Sequence, residues 1–570
     1  MRIPALLALS ALLFATGGAQ AELCRNASSI EAALYSSPMN SPGIISPTDG
    51  TCWLPGVTIT SYDGVKLAAN LFLPRSSYSG QKFPGIVMIG SWGAPGRMEY
   101  LGQQQRLAQD GYIVASYTAR GFFLSEGLVD VAAPADVRDV SAALDWLQAN
   151  TPVDVQNMAA SGISYGAGLS LIALSQDTRL KTAVAFSGWA TLADELYAAE
   201  TPNLTWSGVL NFLGDTTGRP DPEVGRNIQT LNNPNATAAE IAAIMSWALP
   251  RSPSSYVAAI NRRNAPVFIS KNYQDDMFTP NSSMAMFSAL TVPKKLLLNA
   301  GIHTSAEILG ALLGIDNTPY DQAHRWFNRW LKGEQNGIEN EPKVSMQIKF
   351  SKQRDALSNW PAPEVHNQTL YLSPRGALRF DWGCFCARGD KGALSASQNQ
   401  SRDGDTIYNF SDTTASSGLI PILSTTAETF GIPVVNSLLT VGLSTGVRYE
   451  GSWLSATQKI RGIARLNLRL TPSQARAQVV AYLYDVDLIG TGVLITHGAR
   501  SLHSAVPGQT IDFPIEFSAI AYDIPAGHHL GIVLDTADSL YAQPVNAGER
   551  FSVRFEFDPA RQASLILPTL

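Results

Sequence analysis

Continuous apolar runs alternate with amphipathic ones from residue 84 to about residue 333, and this order constrains the fold more than any other feature of the chain. The runs PGIVMIG (84–90), YIVASYTARG (112–121), LKTAVAFSG (180–188), APVFISKN (265–272) and KKLLLNAG (294–301) have the unbroken apolar character of strands buried on both faces. Between them lie helical patterns: YLGQQQRLAQDG (100–111) with its glycine stop, ADVRDVSAALDWLQAN (135–150) with Val137, Val140, Ala143, Leu144 and Leu147 on one face, GAGLSLIALSQ (166–176), and YDQAHRWFNRWLKG (320–333). Strands alternating with helices predict a parallel α/β sheet covered on both faces. Ahead of this series, VTITSYDGVKLAANLFLP (57–74) alternates around Asp63-Gly64, the pattern of a hairpin. Residues 190–262 interrupt the alternation with short helical patterns and no strong strand, which predicts a helical cap inserted over the sheet.

The character changes after about residue 340. Short alternating segments follow one another, beginning with VSMQIKFS (344–351) and including ARLNLRLTPS, AQVVAYLYDVD, QTIDFPIEF and RFSVRFEFD. This predicts a C-terminal all-β domain, a sandwich or jelly roll, over residues 341–570. The Ser-, Thr- and Gly-rich segment 383–460 reads as loops within it. With 570 residues, 45% of them hydrophobic and 15% charged, the chain is long enough for both domains.

The N-terminus, MRIPALLALSALLFATGGAQA, has a positive residue, an apolar run and a small-x-small site at Ala19-Gln20-Ala21. It reads as a signal peptide, 1–21, cleaved after Ala21. The mature catalytic domain then spans 22–340, and the protein is secreted or periplasmic. No later segment has the length of a membrane span. The net charge of −6 carries no basic cluster, which argues against nucleic-acid binding. Four cysteines, Cys24, Cys52, Cys384 and Cys386, allow three disulfide connectivities in an exported chain; Cys24–Cys52 would tie down the N-terminal segment. The spacing does not suit a four-cysteine zinc site.

Within AASGISYGAGLSLIAL (159–174) lies Gly162-Ile163-Ser164-Tyr165-Gly166. Gly-x-Ser-x-Gly alone is a weak signal. It gains weight from the strand before it and the helix after it, the setting of a nucleophile elbow. A serine hydroxyl needs a histidine to take its proton and an acid to orient that histidine. Of the seven histidines, His303 and His324 follow Ser164 within the α/β region. His303 directly follows the strand KKLLLNAG, where such sheets place reactive groups; His324 reads as a helix-surface residue. In NYQDDMFTP, Asp275 and Asp276 both sit just past the preceding strand, and spacing does not separate them. The oxyanion hole requires two donors. One is the backbone N–H of Tyr165; the candidate for the other is Trp92 in SWGAPGR (91–97), through its backbone or its indole N–H.

Together these residues resemble the X-Pro dipeptidyl-peptidase and cocaine esterase family of serine hydrolases, which includes glutaryl-acylase and α-amino-acid ester hydrolase members. DGVKLAANLFLP is similar to the family's opening hairpin, ARGFFLSEG to its Arg-Gly…Ser-x-Gly turn through Arg120, Gly121, Ser125 and Gly127, GISYGAG to its elbow, and AGIHTS to its Gly-x-His turn. AYLYDVD…VLITHGARS and AYDIPAGHHLGIVLD are similar to its C-terminal jelly roll. The resemblance implies an α/β-hydrolase with a Ser164–Asp275–His303 triad, Asp275 being the triad acid. It implies cleavage of a small-molecule ester or amide, including peptide, substrate through an acyl-enzyme, with no metal and no cofactor. The chain departs from the family in the loop GSWGAPGR, where many members carry an oxyanion Tyr and here none occurs before Tyr100, and in TARGFF, where Thr118 and Phe123 replace Asp and Gly.

Without a large extra N-terminal domain, the reading leans to an acyl esterase, with the cap and an edge of the β domain walling the acyl pocket. The alternative is a proline-specific dipeptidyl-peptidase or related aminopeptidase or amidase. It requires an acidic group near the pocket for a substrate amine, and Glu99, Glu126, Glu195 and Glu200 are the candidates. A carbohydrate-binding, non-catalytic protein is the alternative of another class; loss of Ser, Asp or His would favour it, and none is missing.

Overall fold

The computed structural model describes residues 44–45, 51–74, 81–376, 379–381, 386–418 and 420–570. The leader, Cys24 and Cys384 lie outside the described residues; Cys52 is disulfide-bonded.

Eleven described strands form one sheet: β1 (Ile44–Ile45), β2 (Cys52–Thr60), β3 (Lys66–Leu73), β4 (Phe83–Ile89), β5 (Ile113–Tyr117), β6 (Val153–Ile163), β7 (Leu180–Phe186), β8 (Val267–Asn272), β9 (Lys294–Asn299), β10 (Val344–Gln347) and β11 (Arg354–Leu357). Their order is β1-β2-β3-β5-β4-β6-β7-β8-β9-β10-β11. The pairs from β5 to β10 are parallel, and the N-terminal hairpin joins antiparallel through β3. Every residue of β5, β8 and β9 is buried, which accounts for their unbroken apolar runs. The strand at Val344, read as the first of the β domain, instead extends this sheet. Alternation reports that a segment is a strand but not which sheet accepts it, and here the free edge of β9 does.

Five α-helices connect β7 to β8: Leu192–Leu196, Leu204–Thr217, Pro222–Leu231, Ala238–Ala248 and Val257–Arg263. Short polar side chains start three of them. Asn203 accepts from the Trp206 N–H, Asp221 from that of Glu223, and Thr237 forms a reciprocal box with Glu240. The cap leans on the β domain, where the Thr205 N–H donates to Leu540 O at 3.3 Å and Thr201 Oγ1 to Ser501 Oγ at 3.0 Å.

From His366 onward fourteen of the described strands build a second sheet, while Arg379–Asp381 and Cys386–Arg388 pair only with each other. The C-terminal strand Ser564–Thr569 pairs antiparallel with His366–Ser373, and Ala477–Val486 is buried throughout between two neighbours. The segment 383–460 is not purely loop. It contributes strands such as Gly404–Tyr408 and Val447–Glu450, and a helix, Pro421–Thr429, whose Ser- and Thr-rich sequence gave no helical signal.

One motif proves to be scaffold. The buried Arg120 donates to Asp139 Oδ2 and Oδ1 at 2.9 and 2.7 Å, and to Asp63 Oδ2 at 2.7 Å. It thereby pins the hairpin turn to the helix Pro134–Asn150. A Cβ on Gly127 would sit 2.9 Å from Arg120 Cγ, so the glycine leaves room for the guanidinium stem.

Candidate active site

Strand β6 ends at Ile163 and a helix starts at Tyr165, leaving Ser164 alone on the bend with φ 54° and ψ −113°. A non-glycine residue there is strained. The bend is over-determined by the two glycines. A Cβ on Gly166 would lie 2.0 Å from Ile89 O, and one on Gly162 2.6 Å from the Gly166 carbonyl carbon. Both must be glycine for the helix to start this close to the sheet. The Ser164 N–H donates to Phe186 O at 2.8 Å, which anchors the turn to β7.

Strands β8 and β9 deliver the other two groups. His303 Nε2 lies 2.8 Å from Ser164 Oγ, and His303 Nδ1 lies 2.8 Å from Asp275 Oδ2. Asp275 Oδ1 accepts from the N–H groups of Met277 and Phe278, at 3.2 and 3.0 Å. Burial pushes the Asp275 carboxyl up, but the charges of His303 and Lys271 and the His303 hydrogen bond outweigh it and hold the group below the usual carboxylate range. Asp276 turns the other way, its Oδ1 3.3 Å from His497 Nε2 on a strand of the β domain. The His303 ring is packed edge-on against Phe278 and Trp206, with ring centroids 5.3 and 6.3 Å away.

Across the bend, the Trp92 indole N–H donates to Leu210 O of the cap at 2.9 Å, which removes it as an oxyanion donor. Its backbone N–H meets no acceptor among the described residues. The N–H of Tyr165, first residue of its helix, is one of that helix's unpaired donors. The loop bearing Trp92 is held from below by Glu99, which accepts from the Ser91 N–H and hydroxyl at 2.9 and 2.5 Å. Burial pushes the Glu99 carboxyl up to about 7. Tyr100 joins strand and elbow, donating to Ile89 O at 2.8 Å and accepting from the Ile163 N–H at 2.9 Å.

An apolar pocket opens beside Ser164 and Tyr165. Trp92, Val131, Trp189 and Phe278 line it from the sheet side, and Leu196, Leu210, Ile228 and Trp247 are among its cap residues. All its lining residues fall between Trp92 and Phe278. The wall expected from the β domain is therefore contributed by the cap, and the β domain braces the cap from behind.

The four glutamates part company. Glu99 is buried beneath the elbow, Glu126 accepts from the Lys66 N–H at the surface, and Glu200 is exposed. Glu195 lines a smaller adjoining pocket that shares residues such as Leu196, Leu210 and Phe278 with the first. Its carboxyl accepts from the Thr279 N–H at 2.8 Å and the Ser282 hydroxyl, and burial pushes it up to about 7. His324 is not a surface residue. It is buried between Asp110 Oδ2 and Gln103 Oε1, each 2.9 Å from a ring nitrogen, groups supplied by the helix Leu101–Gln109 and the residue that ends it.

Two site neighbours escaped the sequence reading. Lys271 is fully buried, with Nζ 3.1 Å from Asp275 Oδ2; a lysine inside the apolar run APVFISKN was the available signal. His497, from a distant strand, left no local signal.

A mostly parallel sheet with a strained serine on its sharpest turn, facing a histidine and a buried aspartate, defines a serine hydrolase of the α/β-hydrolase fold. The family model of the S15 X-Pro dipeptidyl-peptidases matches residues 63–305, and that of the X-Pro dipeptidyl-peptidase C-terminal non-catalytic domain matches residues 336–568. Both matched segments, which together take up most of the chain, are those of the X-Pro dipeptidyl-peptidase family. It is 21% identical over 517 residues to a Bacillus anthracis protein assigned as an Xaa-Pro dipeptidyl-peptidase, covering 84% of this chain and 76% of the relative. Among solved structures, a CocE/NonD family hydrolase from Staphylococcus aureus superposes with a TM-score of 0.69 at 12% identity, covering 94% of this chain and 98% of that one. An α-amino acid ester hydrolase superposes with a TM-score of 0.68 at 16% identity, covering 94% and 100%. At these identities the structural likeness speaks for the fold alone. No helix of the described residues is long and apolar enough to cross a membrane.

Proposed function

We propose that the protein is an exported acyl esterase in which Ser164, His303 and Asp275 form the catalytic triad. In this reading Ser164 Oγ attacks the ester carbonyl as His303 Nε2 takes its proton, and His303 returns that proton to the leaving alcohol. Water then repeats the sequence on the acyl-enzyme. Asp275 holds the Nδ1–H tautomer and stabilises the imidazolium. The backbone N–H groups of Tyr165 and Trp92 receive the negative charge that develops on the carbonyl oxygen. The observation that carries the reading is the pair of 2.8 Å contacts linking Ser164, His303 and Asp275.

The preference for esters of neutral acids rests on the cavity beside Ser164, whose lining has no carboxylate and no cationic side chain among the described residues. An α-ammonium group buried there would lose its hydration with no counter-charge. The leader at 1–21 and the disulfide-bonded Cys52 support export. A second reading, a dipeptidyl-peptidase, is favoured by the matched family models and by Glu195, which lines the adjoining pocket.

The test compares wild type, Ser164→Ala and Glu195→Gln on short-chain p-nitrophenyl esters and on X-Pro p-nitroanilides, beside fluorophosphonate labelling. Ester turnover and labelling that both vanish in Ser164→Ala support the esterase. Anilide turnover without ester turnover, abolished in Glu195→Gln, replaces it with the peptidase. Equal labelling of wild type and Ser164→Ala refutes the nucleophile.

A further inference from the structure

We infer that Lys271 is a positioning residue of the triad, whose charge sets the acid limb of the enzyme's pH–rate profile. The inference rests on the triad reading above. Lys271 is the fifth residue of β8, and its side chain runs beneath the acid loop, fully buried. Its nitrogen has three acceptors: Asp275 Oδ2 at 3.1 Å, Gly188 O at 3.1 Å, and Phe278 O. Three acceptors use all three protons of an ammonium group and leave none for water.

The oxygen it contacts is the one that accepts from His303 Nδ1. Asp275 Oδ2 therefore serves two donors, while Oδ1 serves the Met277 and Phe278 N–H groups. The carboxylate has no rotational freedom left, and its charge is divided between a fixed cation and the imidazole. A carboxylate that answers to His303 alone would favour the imidazolium more strongly. Lys271 draws on the same oxygen and weakens that support.

The other ionisable groups around the pair are few. Glu195 of the cap interacts electrostatically with both Lys271 and Asp275, and the buried Glu307, on the His303 side, interacts with His303 while bonded to Ser187, Ser270 and Asn272. Neither is within the hydrogen-bonded set of Lys271 among the described residues.

The experiment follows the rate of fluorophosphonate inactivation against pH, which reports Ser164 activation without needing the natural substrate. In the neutral variants Lys271→Met and Lys271→Gln, the acid limb is expected about one pH unit higher than in wild type, as for removal of a nearby like charge. In Lys271→Arg, which keeps the charge but not the shape, the limb stays with wild type even where the rate falls. A neutral variant that is slowed equally at every pH overturns the inference and leaves Lys271 a packing element. So does a Lys271→Arg profile that moves with the neutral ones. Failure of wild type to label at all removes the triad reading and this inference with it. If both neutral variants fail to fold, a shifted limb in Lys271→Arg refutes the proposal and an unshifted one supports it.

Discussion

Asp275 and Asp276 are adjacent in the chain, yet Asp275 points at His303 and Asp276 points at His497, with 2.8 and 3.3 Å separating the respective pairs. One aspartate faces the candidate catalytic base; its neighbour fastens the same loop to the β domain. Asp275→Asn is expected to lower kcat/KM on a p-nitrophenyl ester by on the order of 10³–10⁴, the scale of losing a triad acid. Asp276→Asn should retain most turnover and lose stability. Steady-state kinetics beside thermal denaturation separates the two, and the reverse pattern would exchange the roles.

The clamp should also be felt in the pH dependence of stability. Burial pushes the His497 imidazole down, but the hydrogen bond and charge of Asp276 outweigh it and raise the group above its ordinary value of 6.5. A raised histidine contributes stability that is fully present below about pH 6.5 and is lost as the pH climbs through the folded-state value. The margin in Tm of wild type over His497→Gln is therefore expected to be larger at pH 5.5 than at pH 8.5. A constant margin would show that the pair does not titrate in this range.

Glu99 gives a signature of the same sign, a loss of stability on going to alkaline pH, but its cause is burial rather than a paired charge. With its carboxyl pushed from 4.5 to about 7 by burial, the folded state holds a proton that the unfolded chain releases earlier. The associated stability is present below about pH 4.5 and is lost as the pH rises through about 7; it amounts to on the order of 3 kcal/mol. Glu99→Gln carries no such charge. Chemical denaturation at pH 5 and pH 8 should find the variant losing less stability than wild type between the two.

Trp92→Phe tests which N–H faces the oxyanion. The indole N–H is already committed to Leu210 O, so the variant should keep kcat within a few-fold while losing about 1 kcal/mol of stability. A fall of about 10²–10³ in kcat would return the indole to the oxyanion hole.

The elbow was legible in the sequence because everything that makes it is local: an apolar strand, two glycines that leave space for Ile89 O and for each other, and a helix start. His303 was legible from its place just past β9. The choice between Asp275 and Asp276 came from the family resemblance and not from local pattern, since both follow the strand and only distant partners distinguish them. The same limit explains why VSMQ was assigned to the wrong sheet and why His324 looked like a surface residue. In each case local pattern described the element correctly, and a contact from far along the chain determined its neighbour.

The hydrogen bond from Trp92 to Leu210 ties the helix Leu204–Thr217, which lines the pocket, to the loop proposed to face the scissile carbonyl. A chain that exchanged this helix for another, to admit a bulkier acid, would also have to supply a new acceptor for the indole or release the loop. In the proposed esterase, selectivity and speed would thus be fastened to one another, and a search for variants with altered preference has more freedom at Val224 and Ile228, which line the same pocket from the next helix.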